Sequence, residues 1–266
     1  MIPKKSAFVC PVCGGGLFEL SGGLRCFAGH SFDRARQGYV NLLLKKASGK
    51  RHGDDRCMVA ARRRFLEKGY YAPLQEAVSR MLGTDQIVLD AGCGEGYYTA
   101  CFAEQNQVYG IDISKDAVQA AAGRYKTAAF AVASLAHIPL ADQSVDAVVS
   151  IFAPEVPAEF ARVLRPGGRW ITVLPMERHL WELKAAVYNK PYCNPPVNPV
   201  RSGFALKRGE ELQYRIALDN PADIAALFQM TPYYYKTSAL DQQKLQSLSR
   251  LEVGLEFYLA EYQVNP

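Results

Sequence analysis

The ten residues IVLDAGCGEG, positions 87–96, constrain this chain more than any other stretch. An apolar strand ends in Asp90, and the chain then turns through three alternating glycines, Gly92, Gly94 and Gly96. Glycine has no Cβ, so such a loop can bend sharply off a strand and let backbone come close to a ligand. A second apolar strand, VYGID, ends at Asp112. A strand, a glycine loop and a helix, followed by an acid at the end of the next strand, outline a nucleotide-shaped pocket. A dinucleotide loop would read GxGxxG and rest a pyrophosphate on a helix N-terminus. Here the spacing is GxGxG, with Asp90 ahead of it and Glu95 inside it. Acid in the loop disfavours a pyrophosphate and suits a cationic ligand such as S-adenosylmethionine, with Asp112 accepting hydrogen bonds from the ribose hydroxyls.

The pattern around this loop alternates strand and helix. Strands are predicted at 87–90, 108–112, 129–133, 146–152 and 169–174, and helices at 97–104, 115–124 and 157–164, the last stopped by RPGG. Such a βαβ rhythm predicts a doubly wound parallel sheet with its ligand at the carboxyl ends of the strands. Upstream, one helix is expected from Asp54 or Asp55 to Gly69, with at least one of Arg62, Arg63 and Arg64 facing outward, and another from Pro73 to Met81. Downstream lie a helix at 179–187, an irregular proline-rich stretch at 189–203, strands at 211–217 and 252–262, and helices at 221–228 and 239–249. The two late strands suit the antiparallel edge of a seven-stranded sheet. The fold class is therefore α/β, a Rossmann-like domain of the class I methyltransferase type with a small metal-binding unit ahead of it.

That unit is read from residues 1–33, which offer little to build a core. Cys10 and Cys13, then twelve residues, then Cys26 and His30 give CxxC followed by CxxxH. Three soft sulfur ligands and an imidazole at short spacing are what tetrahedral Zn²⁺ needs. Residues 1–64 carry 13 Lys and Arg against 4 acids, whereas the remainder carries 18 against 22. Clustered positive charge of this kind faces a polyanion, because phosphate contacts release counterions. The division expected is a zinc-binding RNA-recognition domain over 1–44, a basic linker over 45–53 and a methyltransferase domain over 54–266. No apolar run has the length of a membrane span, and MIPKKSAFVC lacks the apolar core of a signal peptide, so a cytoplasmic protein is expected.

Taken together, CPVC, CFAGHSFD, GYVNLL, RRRFLEKGYY, VLDAGCGEGYYT, the APE region, RPGG and RHLWELK fall in the order found in the RlmA family of 23S ribosomal RNA (guanine-N1) methyltransferases. The resemblance covers residues 8–235. It implies a zinc-binding RNA-recognition domain on a class I methyltransferase domain, and methyl transfer from S-adenosylmethionine to N1 of a guanine in a 23S rRNA hairpin near the peptide exit tunnel. It implies that the cofactor lies over Gly92, Gly94 and Glu95, and that Tyr71 of the GYY segment and His179 of RHLWELK stand at the cofactor. It also implies that two copies can pair as a homodimer. Ser134, after the strand AFAVA, occupies the position where folds of this kind meet the adenine.

Methyl transfer from a sulfonium requires alignment and exclusion of water. Guanine N1 carries a proton that must leave, which calls for a base or a stabiliser of charge on O6. Glu155 in SIFAPE is the titratable group expected nearest the acceptor, and Phe152 the aromatic expected to stack on an unpaired or flipped base. CNPPV at 193–197 is similar to the NPPY signature of N6-adenine and glutamine methyltransferases but lies some forty residues too late, and reads as a loop. Two other functions fit parts of the chain. A methyltransferase with a small-molecule acceptor would share the sheet and leave the zinc unit unexplained, and a non-catalytic RNA-binding protein would have no need of Asp90, the glycine loop and Asp112.

Overall fold

A computed structural model describes residues 5–44 and 53–265. The expected basic linker, apart from its last residue, lies outside the described residues. Four short strands open the chain: β1 (Lys5–Val9), β2 (Gly16–Leu20), β3 (Gly23–Cys26) and β4 (Ser31–Asp33). They form an antiparallel sheet in sequence order. Leu17 and Leu24 are fully buried in it, beside Phe8, Cys10 and Cys26. This core is continuous with the large domain: Phe8 packs edge-on against Tyr109 with ring centroids 5.7 Å apart, and Val9 N donates to Pro139 O at 2.9 Å.

The chain then enters the large sheet earlier than the expected boundary at residue 44. β5 (Val40–Asn41) pairs in parallel with β8 (Ala129–Val132), and Tyr39, Val40 and Leu42 are buried. Next come α1 (Arg56–Leu66), α2 (Ala72–Leu82), β6 (Ile87–Ala91), α3 (Tyr97–Phe102), β7 (Gln107–Asp112) and α4 (Lys115–Arg124). After β8 follow β9 (Val145–Ile151), α5 (Pro157–Val163), β10 (Leu164–Pro175), α6 (Trp181–Val187), β11 (Phe204–Leu218), α7 (Pro221–Gln229), α8 (Ala239–Gln246) and β12 (Leu251–Val264). The strand order is β11-β12-β10-β9-β6-β7-β8-β5. β5 through β10 pair in parallel, while β12 is antiparallel to both β10 and β11. β5 thus adds an eighth strand to the seven expected.

Local chemistry explains most of these elements. Asp55 caps α1 by accepting from Cys57 N and Met58 N at 2.9 and 3.0 Å, and Ser114 caps α4 by accepting from Ala117 N at 3.2 Å. Along α1, Arg64 faces outward and Arg62 and Arg63 are half-buried. RPGG does not separate helix from strand as expected. It forms a bulge at the start of β10, where Leu164 pairs with Val145 but Arg169 already with Ala147. Strand order reverses beside β6, which lies between β7 and β9, and a cavity opens there at the carboxyl ends of the strands. No described helix is long and apolar enough to cross a membrane.

Candidate active site and metal centre

Cys10, Cys13, Cys26 and His30 converge, with their ligand atoms all within 4.8 Å of one another. Tetrahedral zinc, with Zn–S about 2.3 Å and Zn–N about 2.0 Å, requires ligand atoms roughly 3.5–3.8 Å apart. Cys13 Sγ lies 3.7 Å from Cys26 Sγ, and His30 Nδ1 lies 3.6 Å from Cys10 Sγ and 3.3 Å from Cys26 Sγ. The donor set and its spacing fit the ion, and Nδ1 is the imidazole nitrogen facing the thiols. Each Cys sits in a closed turn: Gly14 N donates to Cys10 O at 2.8 Å and Gly29 N to Cys26 O at 3.0 Å.

The cavity at the switch point has a volume of about 570 Å³. Its floor is the glycine loop, with Gly92, Gly94 and Glu95 all on the wall. Gly92 has φ +83°, and a Cβ there would stand 2.5 Å from Ala153 Cβ, so the loop and the end of β9 approach as closely as they do only because the residue is glycine. Asp112 forms one side of the cavity. Its carboxylate accepts from Gly94 N at 3.0 Å and Ser114 N at 2.7 Å, which ties the loop to the end of β7. Burial raises the pKa of Asp112, opposed by those two amides. Burial likewise raises that of Glu95, opposed by Arg63, whose Nε is 4.0 Å from the carboxylate.

The far wall is aromatic. Phe152, at the end of β9, is 43% exposed and has φ +54°, a left-handed conformation that bulky side chains rarely adopt. Its ring stacks near that of His179 at 6.3 Å and 28°, and meets Tyr71 edge-on at 6.4 Å. Phe257 supports both Phe152 and His179, at 5.6 and 4.7 Å. His179 Nδ1 accepts from Glu256 N at 3.2 Å, so the ring proton sits on Nε2. Burial drives the pKa of His179 down to about 3, with Lys184 adding to the effect, and the ring is a neutral donor at physiological pH.

Residues 88–168 match a methyltransferase domain and residues 8–48 match the N-terminal domain of RlmA. A Bacillus subtilis (strain 168) protein, YxjB, provisionally assigned as a 23S rRNA (guanine-N(1)-)-methyltransferase, is 35% identical over 247 residues, covering 85% of this chain and 86% of its own. The 23S rRNA (guanine(748)-N(1))-methyltransferase of Streptomyces fradiae is 40% identical over 188 residues, 67% of this chain and 66% of its own. The chain belongs to the RlmA family of 23S rRNA (guanine-N1)-methyltransferases. Among solved structures, the methyltransferase complexed with the Haloferax volcanii Trm112 activator aligns with TM-score 0.51 over 81% of this chain and 100% of its own, at 19% identity, a likeness of fold. This RlmA-family protein is an S-adenosylmethionine-dependent methyltransferase with a zinc ribbon at its N-terminus.

Of the residues expected at the site, Tyr71, Gly92, Gly94, Glu95, Asp112, Phe152 and His179 line the one cavity. Three others do not. Asp90 is 3% exposed behind the loop, where it accepts from Thr99 Oγ1 at 2.5 Å and so fixes α3 to β6. Ser134 caps a single 3₁₀ turn by accepting from Ala136 N at 3.2 Å, away from the cavity wall. The third is Glu155, expected as the titratable group nearest the acceptor. Its carboxylate pairs with Arg201 at 2.5 Å and accepts from Thr172 Oγ1 at 3.1 Å, which turns it off the wall into an anchor for the proline-rich stretch. The wall also holds residues that motif reading passed over: Asp54, Arg62, Tyr98 and Tyr233. The signals available were the position of Arg62 one turn before Leu66 on the apolar face of α1, and a second tyrosine after GEG.

Proposed function

We propose that this protein transfers a methyl group from S-adenosylmethionine to N1 of a guanine in a hairpin of 23S ribosomal RNA, in the cytoplasm. The observation that carries the reading is one cavity in which the glycine loop and Asp112 share a wall with an exposed, left-handed Phe152. The zinc ribbon joined to it supplies a second RNA-facing surface. The family of the chain, and the guanine-N(1) designation of its Streptomyces fradiae relative, favour this acceptor over a small molecule.

When bound, the cofactor supplies an electrophilic methyl on a sulfonium. Gly92 and Gly94 let their backbone lie against it, and Asp112 receives the ribose hydroxyls. Asp90 acts from behind, holding the loop through Thr99. Tyr71 and His179 close the aromatic side, His179 as an Nε2–H donor whose Nδ1 is already occupied. Phe152 offers its face to the target base, which must leave its pair to expose N1. The positive φ of Phe152 is backbone strain kept at the place where the ring must project. Cys10, Cys13, Cys26 and His30 hold the zinc whose bonds keep the ribbon folded.

The test is transfer of labelled methyl to protein-free 23S RNA and to the isolated exit-tunnel hairpin, with mass spectrometry of the nucleosides. The expected product is 1-methylguanosine mapping to the hairpin. Tight cofactor binding with no methyl on any RNA would overturn the acceptor assignment, and absence of cofactor binding would overturn the cavity assignment.

A further inference from the structure

The outward face of the zinc ribbon carries a row of side chains that the metal centre does not use. In the antiparallel register Lys5 stands opposite Phe18, Phe18 opposite Arg25, and Arg25 opposite Ser31, and directly opposed residues share a face. Their strand neighbours Leu17, Leu24 and Cys26 point the other way, into the core. Phe27, two residues beyond Arg25, continues the outward side and leans on Phe18 with ring centroids 4.5 Å apart at 57°. It is 89% exposed, and no large apolar side chain among the described residues is more so. The turn that holds it needs Cys26, His30 and the left-handed Gly29, at φ +90°, but no aromatic. Two rings in contact, one of them almost wholly in water, form a platform rather than a scattered exposed residue.

Cations flank that platform. Lys5 Cε and the Phe18 ring both lie within 4.0 Å of the point over Gly16 where a Cβ would stand, and Arg25 Nη2 lies 4.0 Å from the corresponding point over Gly29. Of the two acids in residues 5–33, Glu19 is on the opposite face, paired with Arg34 at 2.6 Å. The other, Asp33, stands opposite Gly23, at the end of β3 away from Phe27.

We propose that Phe27, backed by Phe18 and flanked by Lys5 and Arg25, stacks on an unpaired base of the RNA hairpin other than the guanine to be methylated. The assignment rests on a hairpin RNA being the substrate. An aromatic ring takes the π-face of any base, and the two cations suit the phosphates on either side of it. A paired stem keeps its bases stacked inside and offers the ring nothing, so the contact selects single-stranded nucleotides. The RNA thereby gains a hold outside the cavity, and Phe27 acts on RNA affinity without touching the methyl donor.

Fluorescence anisotropy titrations with two labelled RNAs test this: the exit-tunnel hairpin, and a duplex of its stem with no unpaired nucleotides. Phe27→Ala should raise the Kd for the hairpin by about 5- to 100-fold, the worth of one base stack, and that for the duplex by less than about twofold. Phe27→Trp should retain hairpin affinity, and Phe27→Leu, apolar but without a π-face, should lose it. Arg25→Gln should lower the salt slope of binding by about one, whereas Phe27→Ala should leave the slope as it is. Each variant should keep its zinc and its affinity for S-adenosylmethionine. An unchanged hairpin Kd in Phe27→Ala, equal losses on hairpin and duplex, or full affinity in Phe27→Leu would overturn the stacking assignment. Failure of the intact protein to bind either RNA would instead sink the substrate reading, and this assignment with it.

Discussion

Asp90 couples the stability of the cofactor-free protein to pH in a direction opposite to most carboxylates. It is 3% exposed, and burial, together with the charge of Asp112, raises its pKa from 3.8 to about 7 against the opposing Thr99 hydrogen bond. A carboxyl with a raised folded-state pKa binds its proton more tightly when folded. Its contribution is therefore intact below pH 3.8 and is lost as pH climbs toward 7. The full span is on the order of 4 kcal/mol, and about 1.4 kcal/mol of it falls between pH 6 and pH 8. At roughly 2–4 °C per kcal/mol for a chain of this size, the unfolding midpoint should drop by about 3–5 °C across that interval. Glu95 and Asp112 are also raised by burial and slope the same way. Asp90→Asn isolates the one group, since an amide oxygen can still accept from Thr99. Scanning calorimetry of both proteins without cofactor should show a flatter dependence for Asp90→Asn. Parallel curves would refute the reasoning and mean that Asp90 is solvated or already paired.

Further perturbations probe the other parts. Gly92→Ala puts a Cβ 2.5 Å from Ala153 Cβ at a φ of +83°. Left-handed backbone alone costs about 1–2 kcal/mol, so calorimetry should show cofactor affinity at least roughly tenfold lower. Phe152→Ala should raise the KM for RNA by about 5- to 100-fold, the worth of one base stack, with a smaller change in cofactor Kd; equal KM values would remove Phe152 from the acceptor site. Removal of zinc should abolish amide-exchange protection in β1–β4, while cofactor binding survives and methylation of RNA is lost. Persistence of that protection in metal-free protein would show that the buried Leu17 and Leu24 suffice to hold the ribbon.

Much of the large domain was legible because its signals are local. The strands carrying the site were expected within a residue or two of β6, β7, β8 and β9, since buried parallel strands are short apolar runs bounded by turn residues. The elements that escaped lack that signature. β1 to β4 are short, punctuated by glycine and stabilised through metal ligands and a core shared with the larger sheet, so no periodicity marks them. β11 begins at Phe204 rather than 211 because Lys207, Arg208, Glu210 and Glu211 fill an exposed edge, where alternation is not required. At the site, the glycine loop and Asp112 could be read because their geometry demands those residues. The role of Glu155 could not, because its partner Arg201 is 46 residues away and only the fold brings the two together.

The same distinction explains why the NPP sequence at 194–196 misleads. Asn194 would have to present its amide to an acceptor base, but both ends of that amide are engaged inside the protein. Its Nδ2 donates to Met176 O at 2.8 Å, and its Oδ1 accepts from Lys184 Nζ at 2.6 Å and Tyr233 OH at 3.2 Å. Lys184 is 1% exposed and has no carboxylate partner among the described residues. Its charge rests instead against the rings of Tyr192 and Tyr233, 4.9 and 5.0 Å away, while burial lowers its pKa. An ammonium buried at such cost organises its surroundings: it pins the proline-rich stretch to α6 and, through Asn194, orients Tyr233 on the cavity wall. Lys184→Met keeps the volume and removes the charge, so global stability should change by less than about 1 kcal/mol. Tyr233 would keep only half of its support, and the KM for RNA should rise with little change in cofactor affinity. A variant that methylates RNA normally, with the stretch as protease-resistant as before, would show that packing alone holds this wall.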